Sequence, residues 1–218
     1  MGNLSAKTLP IVDWASASDI PDLIAVWWDS FNDDFIRRIY PQTPDGRQWL
    51  ERAFAKNLAP RTDPDIPATE VIIVRDPDTG LPAAVAVYRI IPEGSDAARR
   101  SWRARWPALG DLPDIREDVW TEFYDPMEKT QAYLLGSRGH VYLEALGTMA
   151  QHRKKGYGTA LVQYGNDLAD KLGVECYLDA SDMGRPVYEA NGYVVQDTSA
   201  VVEKRAGVSM VRPRTRKD

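Results

Sequence analysis

The sequence predicts one mixed α+β domain. Three patterns carry that prediction: two amphipathic helical stretches near the start, a β-branched hairpin in the middle, and a strand, helix, strand series in the last third. Pro10, Ile11 and Val12 form a short apolar run, read as a strand. Ser18 and Asp19 then offer N-cap side chains before Ile20, Leu23, Ile24, Trp27, Trp28 and Phe31 at helical spacing. Thr43 to Asn57 repeats the signature, with Pro44 and Asp45 at its start and Trp49, Leu50, Ala53, Phe54 and Leu58 as the apolar stripe. From Glu70 the period changes. Val71 to Val74 is β-branched, residues 76–80 (DPDTG) are dense turn chemistry, and Ala83 to Ile91 is apolar again, which is a hairpin.

Residues 92–138 are less regular and read as an insertion, helical over Asp118 to Leu135. His140 to Ala150 then reads as a buried strand, Gly158 to Leu172 as a helix and Glu175 to Ala180 as the next strand. A crossover of that length implies a parallel pair. A short helix over Gly184 to Asn191 ends at Gly192, and strands follow at Tyr193 to Gln196 and Val208 to Val211. There is no internal repeat or low-complexity linker. Residues 1–211 therefore form one domain and residues 212–218 a basic tail, expected to be flexible, with docking to an acidic partner as the alternative.

Composition excludes several kinds of chemistry. With two His and a single Cys in 218 residues, zinc sites of the Cys/His type cannot be assembled and no internal disulfide can form. Cys176 reads as a small buried hydrophobe and His152 as a loop residue. No run approaches the ~18 apolar residues of a membrane span, and no signal peptide is visible, so a cytoplasmic location is expected. The net charge of −5 is uneven: residues 1–211 hold 23 of the 27 basic and 31 of the 32 acidic side chains. An acidic body repels nucleic acid and attracts cations.

The segment joining the buried strand to the next helix, QHRKKGYGT (151–159), concentrates the chemistry. Backbone N–H groups at a helix start lack intrahelical partners, two glycines leave room for a phosphate, and Arg153, Lys154 and Lys155 supply positive charge. The dinucleotide fingerprint GxGxxG fails at Leu161, and no P-loop pattern is present.

Arg153-Lys154-Lys155-Gly156-Tyr157-Gly158 resembles the Arg/Gln-x-x-Gly-x-Gly/Ala loop that binds acyl-CoA pyrophosphate in the Gcn5-related N-acetyltransferases (GNAT). Leu146-Gly147-Thr148 stands where that family has Leu-x-Val on its fourth strand, and residues 187–193 (VYEANGY) are similar to Leu-Tyr-Glu-x-x-Gly-Phe. The clear resemblance covers about residues 140–196. Two positions depart from it: Ser181 replaces a frequent Asn, and Ala150 a frequent Pro. Leu178 to Ser181 with Gly184 and Tyr188 looks like a subgroup common in filamentous fungi.

The resemblance implies a mixed sheet of about seven strands flanked by four or more helices, with acetyl-CoA as co-substrate and no metal. It implies transfer of an acetyl group to a primary amine, a small cationic one given the acidic body, by direct attack in a ternary complex, in a monomer or homodimer without nucleic-acid or membrane partners. A catalytically silent acyl-CoA-binding module and a protein amine acetyltransferase are the alternatives. The implied CoA-binding residues are Leu146, Gly147, Thr148, Arg153, Lys154, Lys155, Gly156, Tyr157, Gly158, Thr159 and Ser181. Backbone N–H groups near Leu146 to Thr148 are candidates for polarising the thioester carbonyl.

Two side chains stand out for the reaction. Glu144 is the only charge in its strand and, counted by alternation, shares a face with Leu146 and Thr148. It is the candidate general base, or else it pairs with an arginine or reaches water. Tyr188 inherits the family's role of proton donor to the CoA thiolate, with structural packing as the alternative. The stripes containing Trp27, Trp28 and Trp49 read as core. Trp102, Trp106, Trp120, Phe123 and Tyr124 fit either core or the wall of an acceptor site.

Overall fold

The structure is a computed structural model that describes residues 10–61, 67–110, 112–203 and 207–215. Among these residues seven strands form one sheet: β1 (Ile11–Trp14), β2 (Ala68–Arg75), β3 (Pro82–Ile91), β4 (His140–Thr148), β5 (Glu175–Ala180), β6 (Val194–Val195) and β7 (Val208–Arg212). Their order is β1-β2-β3-β4-β5-β7-β6, and only β4 and β5 pair in parallel. The expected hairpin and the expected parallel pair are both present. Among the described residues eight α-helices accompany the sheet: α1 (Ile20–Ser30), α2 (Ile36–Ile39), α3 (Pro44–Leu58), α4 (Ala97–Arg100), α5 (Trp102–Arg105), α6 (Glu117–Leu135), α7 (Tyr157–Leu172) and α8 (Arg185–Glu189). The short α2, α4 and α5, four residues each, were not foreseen, because one turn carries no measurable period.

Local chemistry sets the helix ends. Thr43 accepts the Gly46 N–H at 3.2 Å and Pro44 opens α3, as its sequence required. At α1 the expectation needs correction. A 3₁₀ turn over Ala17–Asp19 precedes the helix, and the Asp19 carboxylate takes the Ser16 N–H (2.8 Å) and binds Arg75 instead of capping α1.

Alternation along the strands divides the core. Val71, Ile73, Val85 and Val87 face α1, α3 and α6, whereas Ile72, Val74, Ala84, Ala86 and Tyr88 face α7. On the first side the insertion completes an aromatic cluster: Trp27, Trp49, Trp102, Trp106 and Trp120 are each at most 2% exposed, with ring centroids such as Trp49 and Trp120 at 4.6 Å. Trp102, Trp106, Trp120 and Tyr124 are thus core, and Phe123 is half-buried against it. On the second side Gly165 lets α7 close onto the sheet, since a Cβ there would lie 2.4 Å from the Tyr88 ring.

The alternation breaks once in β4. Tyr88 pairs with Leu143 and Val87 with Ala145, leaving Glu144 as the extra residue of a bulge. Leu143 and Leu146 pack toward α7, while Ala145 packs toward α1 and α3. Counting by twos fails across a bulge. Glu144 therefore lies on the sheet face opposite Leu146 and Thr148, contrary to the expectation from sequence. At the C-terminal end, β7 runs through Arg212, whose guanidinium grips Asp170 at 2.8 Å through two nitrogens. This first basic residue of the expected tail is strand, and residues 216–218 lie outside the described residues.

His140, at the start of β4, is fully buried between Gln131, which donates to Nε2 (3.0 Å), and the Arg138 carbonyl, which accepts from Nδ1 (2.8 Å). Burial pushes its pKa down to about 4. The folded value lies below the ordinary one, so the stability from a neutral His140 is complete above about 6.5 and is lost as pH falls toward about 4. The urea midpoint of unfolding should fall as pH drops through that window. The His140 ring signal in NMR should stay that of neutral imidazole at pH 6, and a ring midpoint near the ordinary ~6.5 would refute the assignment.

Candidate active site

Pairing between β4 and β5 stops early. The register runs from His140 opposite Glu175 to Leu143 opposite Leu178, and then the bulge intervenes. β4 continues alongside β3 to Thr148, and β5 continues alongside β7 to Ala180. Between them the sheet opens into a slit, with the backbone of residues 144–148 free of a strand neighbour on that side. Gly147 sits where the end of α1 crosses the strand: a Cβ there would lie 2.6 Å from Ser30 Cβ.

After β4, a 3₁₀ turn over Ala150–His152 leads into the loop that starts α7. Lys154 (φ 62°) and Gly156 (φ 93°) both adopt left-handed backbone, which turns the chain sharply into the helix. The first intrahelical bond of α7 is the Ala160 N–H to the Gly156 carbonyl, so the N–H groups before it are available to an anion. Gly158 packs over the slit, where a Cβ would be 3.6 Å from Thr148 Oγ1 and 3.7 Å from Leu146 Cδ2. Arg153 and Lys154 are exposed, Arg153 Nε reaching the Thr148 carbonyl at 3.3 Å. Thr159 is exposed in the first turn of α7.

Not all of the loop's side chains face outward. Asp76, 2% exposed at the end of β2, takes Lys155 Nζ at 3.0 Å and the Tyr157 hydroxyl at 2.8 Å through one oxygen, with His152 Nδ1 at 3.2 Å. The Lys155 and Tyr157 bonds hold this carboxyl well below the ordinary range. Lys155 and Tyr157 therefore spend their side chains fixing the loop to the hairpin. Sequence reading classed Asp76 as turn chemistry, and it does also accept the Asp78 N–H at 3.1 Å.

Across the slit, Ser181 follows β5 and accepts the Gly184 N–H on Oγ at 3.2 Å, shaping the turn into α8. Gly184 leaves room for the Tyr188 ring, which would otherwise lie 3.0 Å from a Cβ. Tyr188 is 8% exposed on the α7 face, its hydroxyl has no hydrogen-bond partner among the described residues, and burial pushes its pKa up to about 12. It stays protonated at neutral pH, as a proton donor must.

Glu144 is enclosed on the other face. Its oxygens accept from Arg89 Nε (2.5 Å), from Arg105 Nε and Nη2 (2.9 and 2.8 Å) and from Trp106 Nε1 (3.1 Å), and its side chain has no exposure. Burial alone would raise its pKa, but Arg105 and Arg89 bring it below the ordinary carboxylate value. These contacts match the arginine-paired alternative. A carboxylate held in this way is a weak proton acceptor. Arg89 and Arg105 were not singled out from sequence, although Arg89 interrupts the apolar run of β3 just as Glu144 interrupts β4.

Among the described residues, no group of three or more His, Cys, Asp or Glu side chains is placed to hold a metal, and no helix is long and apolar enough to cross a membrane. Residues 27–193 match the acetyltransferase (GNAT) family. No curated protein matches the sequence. The fold is similar to arylalkylamine N-acetyltransferase 2 from Aedes aegypti, with a TM-score of 0.62 and 14% identity over 94% of this chain and 99% of the other. It is also similar to a histone acetyltransferase HPA2 and related acetyltransferase from Corynebacterium glutamicum (TM-score 0.58, 19% identity, 96% and 99% covered). A third similar structure is the PaiA N-acetyltransferase of Thermoplasma acidophilum in complex with coenzyme A (0.53, 14%, 94% and 99%). None of these matches supports the likeness to a filamentous-fungal subgroup.

Glu144→Gln should cost about 3–5 kcal/mol of stability, because it leaves two buried guanidiniums against the single acid Glu128, itself 3.9 Å from Arg105. Chemical denaturation of the variant and wild type measures this, and equal midpoints would show that the cluster carries no such load.

Proposed function

The chain belongs to the acetyltransferase (GNAT) family and is an acetyl-CoA-dependent enzyme, and on that premise we propose that it transfers the acetyl group to a small, cationic primary amine by direct attack in a ternary complex. The observation that carries this reading is the slit between β4 and β5, with an anion cradle at one end and a protonated phenol beside it. The co-substrate fits the residues present. The N–H groups of Gly156, Tyr157 and Gly158, with Arg153 and Lys154, suit its pyrophosphate. Thr159 and Ser181 lie at either side, and the unpaired backbone of Leu146, Gly147 and Thr148 suits the pantetheine amides and the thioester carbonyl.

An alkyl ammonium must lose a proton before it can attack, at a cost of ~4–5 kcal/mol at pH 7. In this reading water at the slit takes that proton, and Glu144 acts as the anchor of Arg89 and Arg105, not as the base. Tyr188 protonates the departing sulfur. The acidic body supports a cationic acceptor, and the insertion packed over the α1 face supports a small one over a peptide.

Purified protein with acetyl-CoA and a broad panel of primary amines should release CoA thiol with at least one of them. No release with any amine overturns the reading. Tyr188→Phe should lower kcat by roughly 10²- to 10⁴-fold with little change in the amine KM. Asp76→Asn should raise the KM for acetyl-CoA and leave the amine KM in place, because it frees the loop without touching the acceptor side. Steady-state kinetics with each substrate varied in turn decides both.

A further inference from the structure

The slit has a phenol on each face, and only Tyr188 has a role so far. Tyr142 of β4 stands opposite Tyr177 of β5, one residue before the last pair, on the Glu144 face of the sheet. The residue is 3% exposed, with its ring 5.4 Å from that of Tyr177 and the Arg105 guanidinium 5.4 Å from its centroid. Its hydroxyl has no hydrogen-bond partner among the described residues. Trp27 Nε1, Trp49 Nε1 and Arg89 Nη2 are polar atoms sealed off without a partner, and the Tyr142 oxygen is not one of them.

A tyrosine buried in this way normally satisfies its hydroxyl. Tyr40 and Tyr124, on the same face, do so with each other. Burial and the nearby charges of Asp179 and Glu144 push the Tyr142 pKa well above the ordinary value, so the phenol is neutral and can both accept and donate. Asp179, the first β5 residue beyond the pairing, is steadied by the Tyr177 and Ser209 hydroxyls, each 3.0 Å from Oδ1. The unpartnered oxygen thus lies in the field of two carboxylates, on the face away from the α7 loop.

We propose that the Tyr142 hydroxyl is an acceptor-binding group, which takes a hydrogen bond from the ammonium or amine nitrogen of the acceptor and aims it through the slit at the thioester. The proposal rests on the acetyltransfer reading and deepens it. Donor and acceptor then meet from opposite faces of the sheet, Tyr188 serving the sulfur and Tyr142 the nitrogen. The ligand class is a primary amine that is cationic in solution and narrow enough to reach a hydroxyl beneath the sheet opening.

Tyr142→Phe tests this directly, since it removes an oxygen that makes no bond within the described protein and should leave the melting temperature unchanged or slightly higher. With an amine the wild type acetylates, the variant should raise the amine KM roughly 10- to 100-fold, the worth of one hydrogen bond to a charged group, with the acetyl-CoA KM unchanged. Calorimetric affinity for CoA should also match wild type. An unchanged amine KM overturns the proposal, and so does a loss shared equally with the acetyl-CoA KM or accompanied by a large fall in melting temperature. If the wild type itself releases no thiol with any amine, the acetyltransfer reading falls first. If the wild type is active and Tyr142→Phe equals it, only the assignment of Tyr142 falls.

Discussion

Three charges share a space almost closed to solvent: Arg89 from β3, Glu144 from β4 and Arg105 from the insertion. Each would cost several kcal/mol to bury alone. Together they join pieces of chain far apart in sequence, and the geometry of the site follows from that demand. The bulge turns Glu144 away from the α7 face so that it meets both guanidiniums. Arg105 draws α5 down onto the sheet, and Trp106 follows it, giving Glu144 its indole N–H at 3.1 Å. Asn57 of α3 and Thr69 of β2 take up Arg89 Nη1, which ties two further elements to the same point. The insertion is therefore fastened to the fold by a polar bolt as well as by its aromatic rings.

The same bulge opens the sheet at the candidate site. A bulge raises local twist, and beyond it β4 stays with β3 while β5 stays with β7. The gap that results would be a liability in an ordinary sheet, since it leaves backbone groups without partners. Here those groups lie beside a helix start held by Asp76 and a short helix shaped by Ser181. In the proposed reading the unpaired backbone serves as binding surface, and the elements around it keep that surface in one shape.

Much of this was legible in sequence, for identifiable reasons. Long periodic segments such as Pro44–Leu58 and Tyr157–Leu172 show in their apolar stripes, with Pro44 and Asp45 marking the start of the first, while the second begins at Tyr157, one residue before the Gly158 its pattern suggests. The loop over residues 153–158 stands out as a candidate anion cradle, because glycines and cations in that order have few other uses. What escaped notice was non-local. A one-residue bulge leaves no mark in composition, yet it reverses the face of Glu144. Asp76 looked like a turn former because its local bonds are those of a turn, and its long-range bonds to Lys155 and Tyr157 span about eighty positions. The insertion of β7 between β5 and β6 in the sheet order was likewise invisible, since strand order depends on packing. Arg89 was the one missed residue with a signal: a lone charge in an apolar strand calls for an opposite charge in a neighbouring one.

The aromatic cluster under the insertion has an optical consequence. Trp27, Trp49, Trp102, Trp106 and Trp120 form a chain of rings with centroids 4.6 to 6.2 Å apart, which includes residues from α1, α3, α5 and α6. Rings this close and fixed in asymmetric surroundings couple their electronic transitions. These five rings therefore contribute to the near-ultraviolet circular dichroism as one assembly, and that contribution records whether the insertion is seated on the sheet independently of whether the helices themselves are formed. The molecule carries its own reporter for the joint between its sheet and its added helices.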